Sequence, residues 1–385
     1  MKTRNTAVLL MITAVVVRAD TVKKVTPKRS DEVKQVSPAP NKRDPLDVTL
    51  RQGLAAVARG DAAQAEQLLN EVVAKDPKQA LAYVGLADVA LRQGKPALAR
   101  TRLETALKLQ PGNAAILRSW ARFQISQREF SGAEATLKKA ASAEPNSPDA
   151  LQELGDLYLA TNRPKEAAET LQRAITVAPS ASELHRGLGT AYTADQNFKQ
   201  AEVEFKRAIQ LNPTDMNKYS LALLYVETKQ VDPALKTLSE LLQVSPKFTA
   251  ALVSRGNAYM LRGDDQSAIN DYRSALAIDP KLAEAQFRIG LANLEKKRIP
   301  AAKQAFRATL ALDPNYAAAL NNLAYLAAER KANLNEALDW ALKAVKLQPN
   351  NAGYLDTLAT VYSARGENAQ AAEVRRKLSG SQQAR

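Results

Sequence analysis

Cysteine is absent from this 385-residue chain. No disulfide, thiolate metal site, cysteine nucleophile or lipid-bearing cysteine can therefore be built from it. Histidine is almost as scarce, with His185 alone. That removes zinc sites built on two or more histidines and most histidine-dependent acid–base catalysis. Aromatic residues make up 5% of the chain, while alanine and leucine dominate. Such a balance favours helices whose backbones approach closely. No glycine-rich phosphate loop occurs, because Gly94-Lys95 runs into Pro96 without an upstream glycine. Carboxylate pairs such as Glu153 and Asp156 share a helix face, which solvation alone accounts for. These absences argue against an enzyme, and no cofactor, metal or catalytic residue is expected.

What is present is positive charge. Lys and Arg outnumber Asp and Glu by 54 to 40, a formal net charge of +14. Such an excess can serve nucleic acid, an anionic surface or plain solubility, and its placement decides which.

The first residues read as an export signal. Lys2 and Arg4 precede an uninterrupted apolar-plus-Thr run, Ala7–Val17, and Val17-Arg18-Ala19 offers a cleavage site before Asp20. Residues 1–19 therefore resemble a secretory signal peptide. The run is too short for a bilayer span, which needs about twenty apolar residues. Periplasmic or secreted placement is expected, an uncleaved segment would anchor the chain to the membrane, and a buried N-terminal helix is the remaining reading. Cleavage would remove three cations and leave +14 − 3 = +11. Residues 20–45 hold Pro27, Pro38, Pro40 and Pro45 with seven basic and four acidic side chains, and are expected to be a disordered basic linker.

The rest of the chain is periodic. Prolines fall at 77, 111, 145, 179, 213, 246, 280, 314 and 349, spaced 34, 34, 34, 34, 33, 34, 34 and 35 residues apart. Twelve residues before each stands an alanine (Ala65, Ala99, Ala133, Ala167, Ala201, Ala234, Ala268, Ala302 and Ala337), and Ala371 continues the series. A second small position recurs near the start of each period: Gly53, Ala87, Ala121, Gly155, Gly189, Ala222, Gly256, Gly290, Ala324 and Ala359. Two antiparallel helices approach closely only where both carry small side chains, so the Gly/Ala position is expected to face the recurrent alanine. Gly60, Gly94, Asn162, Gly263 and Gly366 suit the turn inside each hairpin, and Pro96, Pro164 and Pro300 suit the first turn of the second helix.

Leu154-Gly155, Tyr158, Ala167, Leu171, Ala174 and Pro179, with this period, resemble the tetratricopeptide repeat family. The resemblance implies an all-α fold, a right-handed superhelical solenoid of about ten helical hairpins over residues 46–380. The hairpins start near 46, 80, 114, 148, 182, 215, 249, 283, 317 and 352, and a short tail, 381–385, follows. Polar Thr49 and Gln52 in the first hairpin and Arg375 in the last suit solvated ends, and one extra residue near Ala332 predicts a longer turn.

The resemblance also implies that first helices line a groove through the second, fifth, sixth, ninth, twelfth and thirteenth positions of each unit. Those positions carry six basic residues, among them Arg118, Arg122, Arg186 and Arg288, against eleven acidic ones, among them Asp156 and Asp356. An inner face of this charge disfavours nucleic acid and suits a neutral or basic peptide in its C-terminal half, unless the scattered carboxylates serve only to keep the face solvated. Asn257, Asn321 and Asn322 could pair with an extended backbone as donors and acceptors, beside Phe287 and Tyr325. A Lys/Asn/Lys/Arg clamp for a terminal carboxylate is not found across any three consecutive units. The stretches LNNLAYL (320–326) and YLDTLATVY (354–362) look like those of bacterial envelope members that serve pilus assembly, polysaccharide export or protein sorting. A protein or peptide partner is therefore expected. The alternative is adsorption of the basic exterior and linker to an anionic membrane or polysaccharide.

Overall fold

The computed structural model describes residues 45–383, with side chains to 379. The signal segment 1–19 and the linker lie outside the described residues, except that Pro45 opens the first helix. Twenty helices and no strand occur among the described residues, and they divide into two compact units that part between Pro213 and Thr214. The first unit pairs α1 (Pro45–Arg59) with α2 (Ala62–Lys75), α3 (Ala80–Arg92) with α4 (Pro96–Leu109), α5 (Ala114–Ser126) with α6 (Phe130–Ala143), α7 (Asp149–Ala160) with α8 (Pro164–Val177), and α9 (Ser182–Ala194) with α10 (Phe198–Leu211). The second pairs α11 (Asp215–Glu227) with α12 (Val231–Val244), α13 (Thr249–Arg262) with α14 (Asp265–Ile278), α15 (Ala283–Glu295) with α16 (Ile299–Leu312), α17 (Ala317–Glu329) with α18 (Leu334–Leu347), and α19 (Ala352–Ala364) with α20 (Asn368–Gln383). Helix thus continues through residues 381–383, where a tail is expected from the sequence.

Local chemistry sets the boundaries. Asp61, Asn113, Thr214, Asp264 and Asn351 cap helix starts by accepting a backbone N–H three residues on, at 3.1–3.2 Å. Between hairpins, Asp76, Asp279 and Asp313 accept the N–H two residues on, across the phased proline. Within every hairpin the turn needs a left-handed residue. Gly60, Gly94, Gly263 and Gly366 supply it without a Cβ penalty, whereas Arg128, Asn162, Gln196, Lys229, Lys297 and Lys331 adopt it as non-glycines. The turn 330–333 has four residues and a second left-handed residue, Asn333.

The core follows the period. All nine phased alanines from Ala65 to Ala337 are fully buried. The partner of the small first-helix position differs from the sequence expectation. A Cβ on Gly155 would lie 2.7 Å from Leu171, and one on Gly189 would lie 2.7 Å from Phe205. On Gly256 and Gly290 it would fall within 3.0 Å of the Tyr272 and Phe306 rings. The glycine therefore makes room for a large residue one turn beyond the alanine. All three aromatic residues at that place face glycine, while Ala87, Ala121 and Ala222 stand in units that carry Leu103, Leu137 and Leu238 there. In the hairpin of α19 and α20 Arg375 is exposed and donates to Ser363 Oγ at 2.9 Å.

Candidate functional site

The candidate site is the face of the first helices that turns away from their own hairpin partners. In the first unit this face is an ion-pair lattice. Arg118 on α5 binds Asp149, and reaches Glu153 at 2.9 Å, both on α7; Arg122 Nε lies 3.5 Å from the same Glu153. Burial alone would lower the Arg118 guanidinium, but Glu153 and then Asp149 reverse this and hold it raised. Asp156 is exposed, yet its carboxyl is raised by lost solvation; Arg186 on α9 opposes the shift and Glu153 reinforces it. Arg92 pairs with Asp88 at 3.1 Å. Arg92, Arg118 and Arg122 are thus committed to carboxylates of the same face, while Arg186 makes no ion pair among the described residues.

His185 is structural. Its Nε2 lies 3.1 Å from the Pro179 carbonyl and its Nδ1 2.7 Å from Glu204. A carbonyl oxygen only accepts, so Nε2 carries hydrogen. Tyr83 donates to the Pro77 carbonyl at 3.1 Å from the same place in its own unit.

In the second unit the structure corrects four expectations. Phe287 is buried, its ring 5.5 Å from Phe306 and 4.9 Å from Tyr316. Asn321 and Asn322 are buried, and the Asn322 amide donates to the Ala318 carbonyl at 2.7 Å. Asn257 is half-buried, and its oxygen accepts from Tyr272 at 2.8 Å. Phe287, Asn321 and Asn322 face packed neighbours rather than open groove, and the Asn257 oxygen is taken by Tyr272, so no asparagine ladder is offered to a peptide. Arg288 is also committed, to Glu284 at 2.6 Å, and Tyr316 donates to that same carboxylate. Burial, reinforced by Glu284, raises the Tyr316 hydroxyl above its usual range. Only Tyr325, 39% exposed, and Asp356 present themselves among the expected residues of this unit.

What sequence reasoning passed over is apolar. At the ninth unit position stand Leu223, Leu291 and Tyr325, and at the twelfth Val226, Met260 and Leu294, each row repeating at multiples of 34 residues. The five aliphatic members are neither buried nor free but half-exposed. These apolar residues occupy the same unit positions as the polar candidates. At the thirteenth position Glu227, Glu295 and Glu329 are exposed and have no ion pair among the described residues, and partial loss of solvation raises the Glu227 carboxyl.

Stacked two-helix hairpins with phased small residues define a helical-repeat scaffold. Tetratricopeptide repeat models match residues 56–122, 90–142, 124–191 and 287–352, and a TPR repeat model matches 256–297. The chain belongs to the tetratricopeptide repeat family, whose members typically bind peptides or proteins. No curated protein matches it. Among solved structures it is similar to a tetratricopeptide repeat protein from Parabacteroides merdae, at 18% identity over 63% of this chain and 96% of that one, with a TM-score of 0.53. It is also similar to the APC/C hetero-tetramer Cut9-Hcn1, at 17% identity over 82% and 63%, TM-score 0.51. The human IFIT1 dimer with m7Gppp-AAAA matches at 15% identity over 88% and 90%, TM-score 0.51. At these identities the likeness is one of fold.

Proposed function

We propose that this protein is a non-catalytic scaffold that holds a protein or peptide partner against the first-helix face of residues 214–385, after export, in bacterial envelope assembly, secretion, or pilus or polysaccharide export. The observation that carries the reading is the contrast between the two faces. In the first unit Arg92 pairs with Asp88, and Arg118 and Arg122 pair with Asp149 and Glu153, whereas the second keeps Leu291 and Leu294 half-exposed and Tyr325 exposed. Export rests on Lys2, Arg4 and the apolar segment Ala7–Val17. The test is chemical crosslinking in the native host with the full chain and with a Leu291→Ser/Leu294→Ser/Tyr325→Ala variant shown by circular dichroism to be folded. A crosslinked partner that the variant loses supports the reading, and partners unchanged by the variant refute it. Fractionation with N-terminal sequencing tests export; a chain found intact in the cytoplasm would sink that part.

A second reading is favoured by one feature. Lys297, Arg298, Arg330 and Lys331 are exposed in two successive hairpin turns and have no ion pair among the described residues. They could adsorb the protein to an anionic membrane or polysaccharide. Co-sedimentation with anionic vesicles that disappears by moderate salt supports this reading; binding that survives salt, or none at low salt, argues against it.

A further inference from the structure

The joint between the hairpins α13/α14 and α15/α16 holds a buried charge with a single counter-ion. Asp265, the first residue of α14, is buried, and neither of its carboxylate oxygens makes a hydrogen bond. Its neighbour takes what the helix start offers: Asp264 accepts the Ser267 N–H at 3.2 Å and pairs with Arg262 at 3.3 Å. One cation is left for Asp265. The Lys296 ammonium lies 2.6 Å from its Oδ2, an ionic contact without hydrogen-bond alignment, and makes its only ion pair among the described residues.

Lys296 belongs to the next hairpin. It follows the last residue of α15, and its own N–H reaches the Ala292 carbonyl at 3.4 Å. The turn beyond it is closed by the Lys297 N–H on the Leu294 carbonyl at 2.9 Å and the Arg298 N–H on the Asn293 carbonyl at 2.8 Å. Asp265 is fixed as firmly, one turn before the buried Ala268 and Ile269. Two well-held backbones thus aim the pair at each other across the joint.

The two partners differ in access. The Asp265 side chain is 4% exposed and that of Lys296 is 50% exposed. The ammonium can be drawn off into water, whereas the carboxylate left behind has no solvent and no second cation to turn to. A buried charge that loses its partner is far costlier than a broken surface pair. The start of α14 supplies partial positive charge, but no N–H to either oxygen. Without Lys296 the carboxylate regains solvation only if the first turn of α14 and the turn 296–298 part.

We propose that Asp265 and Lys296 form a charge latch: this joint stays closed while the Lys296 ammonium is in place, and withdrawing or neutralising that one accessible charge opens it locally. The latch holds together the hairpins whose first helices carry Met260 on one side and Leu291 and Leu294 on the other, so its release loosens one step of the apolar rows. It operates whether or not a partner binds there.

Hydrogen exchange of the full chain, resolved by mass spectrometry to residues 265–270 and 293–298, tests the latch, with α19 of the same unit as the reference. Lys296→Gln, which removes the charge and keeps most of the side chain, is expected to speed exchange at least tenfold in both segments and to leave α19 at the parent rate. Asp265→Asn/Lys296→Gln removes the buried charge as well and is expected to return both segments to within about threefold of the parent. Lys297→Gln, one residue on and without an ion pair among the described residues, is expected to change neither. Parent-like exchange in Lys296→Gln would overturn the proposal. So would a double variant as fast as Lys296→Gln, because packing and not charge would then close the joint. Equal acceleration in α19 would overturn it too, since the whole unit and not this joint would be opening.

Discussion

Gly290 tests whether core size is traded between the two helices of a hairpin. A Cβ at this position would lie within 3.0 Å of the Phe306 ring. That ring is fully buried and held from another side by Phe287, 5.5 Å between centroids, so it has little room to retreat. Gly290→Ala should gain about 1 kcal/mol of helix propensity and lose about 2–3 kcal/mol to overpacking, a net destabilisation of about 1–2 kcal/mol. Phe306→Leu alone should cost about 1 kcal/mol, because it leaves a void over the glycine. The double substitution recreates the Ala/Leu combination of the units containing Ala87, Ala121 and Ala222. It should fall within about 1 kcal/mol of the parent, giving a favourable coupling of about 1–2 kcal/mol in a double-mutant cycle. Repeat arrays need not unfold in one step. Hydrogen exchange of the α15 and α16 amides is therefore read alongside urea denaturation. A stabilising Gly290→Ala in the parent background, or strict additivity in the double, would refute the steric account.

Three further outcomes follow from the same packing. Arg255 reaches Asp271 through both Nε and Nη2 at 2.8 Å, and Asp271 is buried; Asp271→Ala should cost about 3–5 kcal/mol in denaturant melts, since it strands the guanidinium, while Arg255→Leu/Asp271→Ala should recover most of that loss. The Asn321 amide oxygen is buried without a hydrogen-bond partner, so Asn321→Leu, close in volume, should raise stability by about 1–2 kcal/mol, and a loss would show that the amide is satisfied. Glu134 accepts from Lys138 at 2.8 Å and from Arg163 at 2.6 Å, which, with Tyr158, pull its carboxyl down to about 2; its stabilising effect is present above about pH 4.5 and is lost as pH falls toward 2, so Glu134→Gln should flatten that limb of a stability–pH profile while leaving the neutral region nearly parallel.

The repeat was legible because backbone needs are strict. An αL turn, a capping oxygen and a buried alanine each admit few residue types, and they recur at a fixed period. The match between Gly290 and Phe306 was half legible: the small position stood out, but its partner did not, because the neighbour of a glycine across a helix pair depends on rotamer direction and crossing angle. The site was least legible. Arg118, Arg288, Asn257 and Asn322 have the chemistry of ligand-binding side chains, and sequence position put them on the first helices. Only three-dimensional neighbours show that Asp149 and Glu153, Glu284, Tyr272 and the Ala318 carbonyl already occupy them.

That occupancy separates the two units energetically. A ligand that engages Arg118 must first break its ion pairs with Asp149 and Glu153, which hold the guanidinium raised against the loss of solvation. Whatever it gains is a difference between two sets of charge-assisted bonds, and it starts near zero. A ligand that covers Leu291 and Leu294 breaks nothing; it removes water from surface that is already half-covered. At about 25 cal/mol per Å², each leucine whose remaining apolar area is buried contributes on the order of 1 kcal/mol. A cation brought to Glu227 meets an exposed carboxyl that has no ion pair among the described residues, so its approach breaks no existing pair. Affinity should therefore be carried by residues 214–385. The charge pattern of residues 45–213, although richer in the sequence, should contribute to holding α5 and α7 together rather than to binding. Arg122→Ala, which loosens the Glu153 contact at 3.5 Å, should then leave partner affinity within about twofold, whereas Leu291→Ser/Leu294→Ser should lower it at least tenfold.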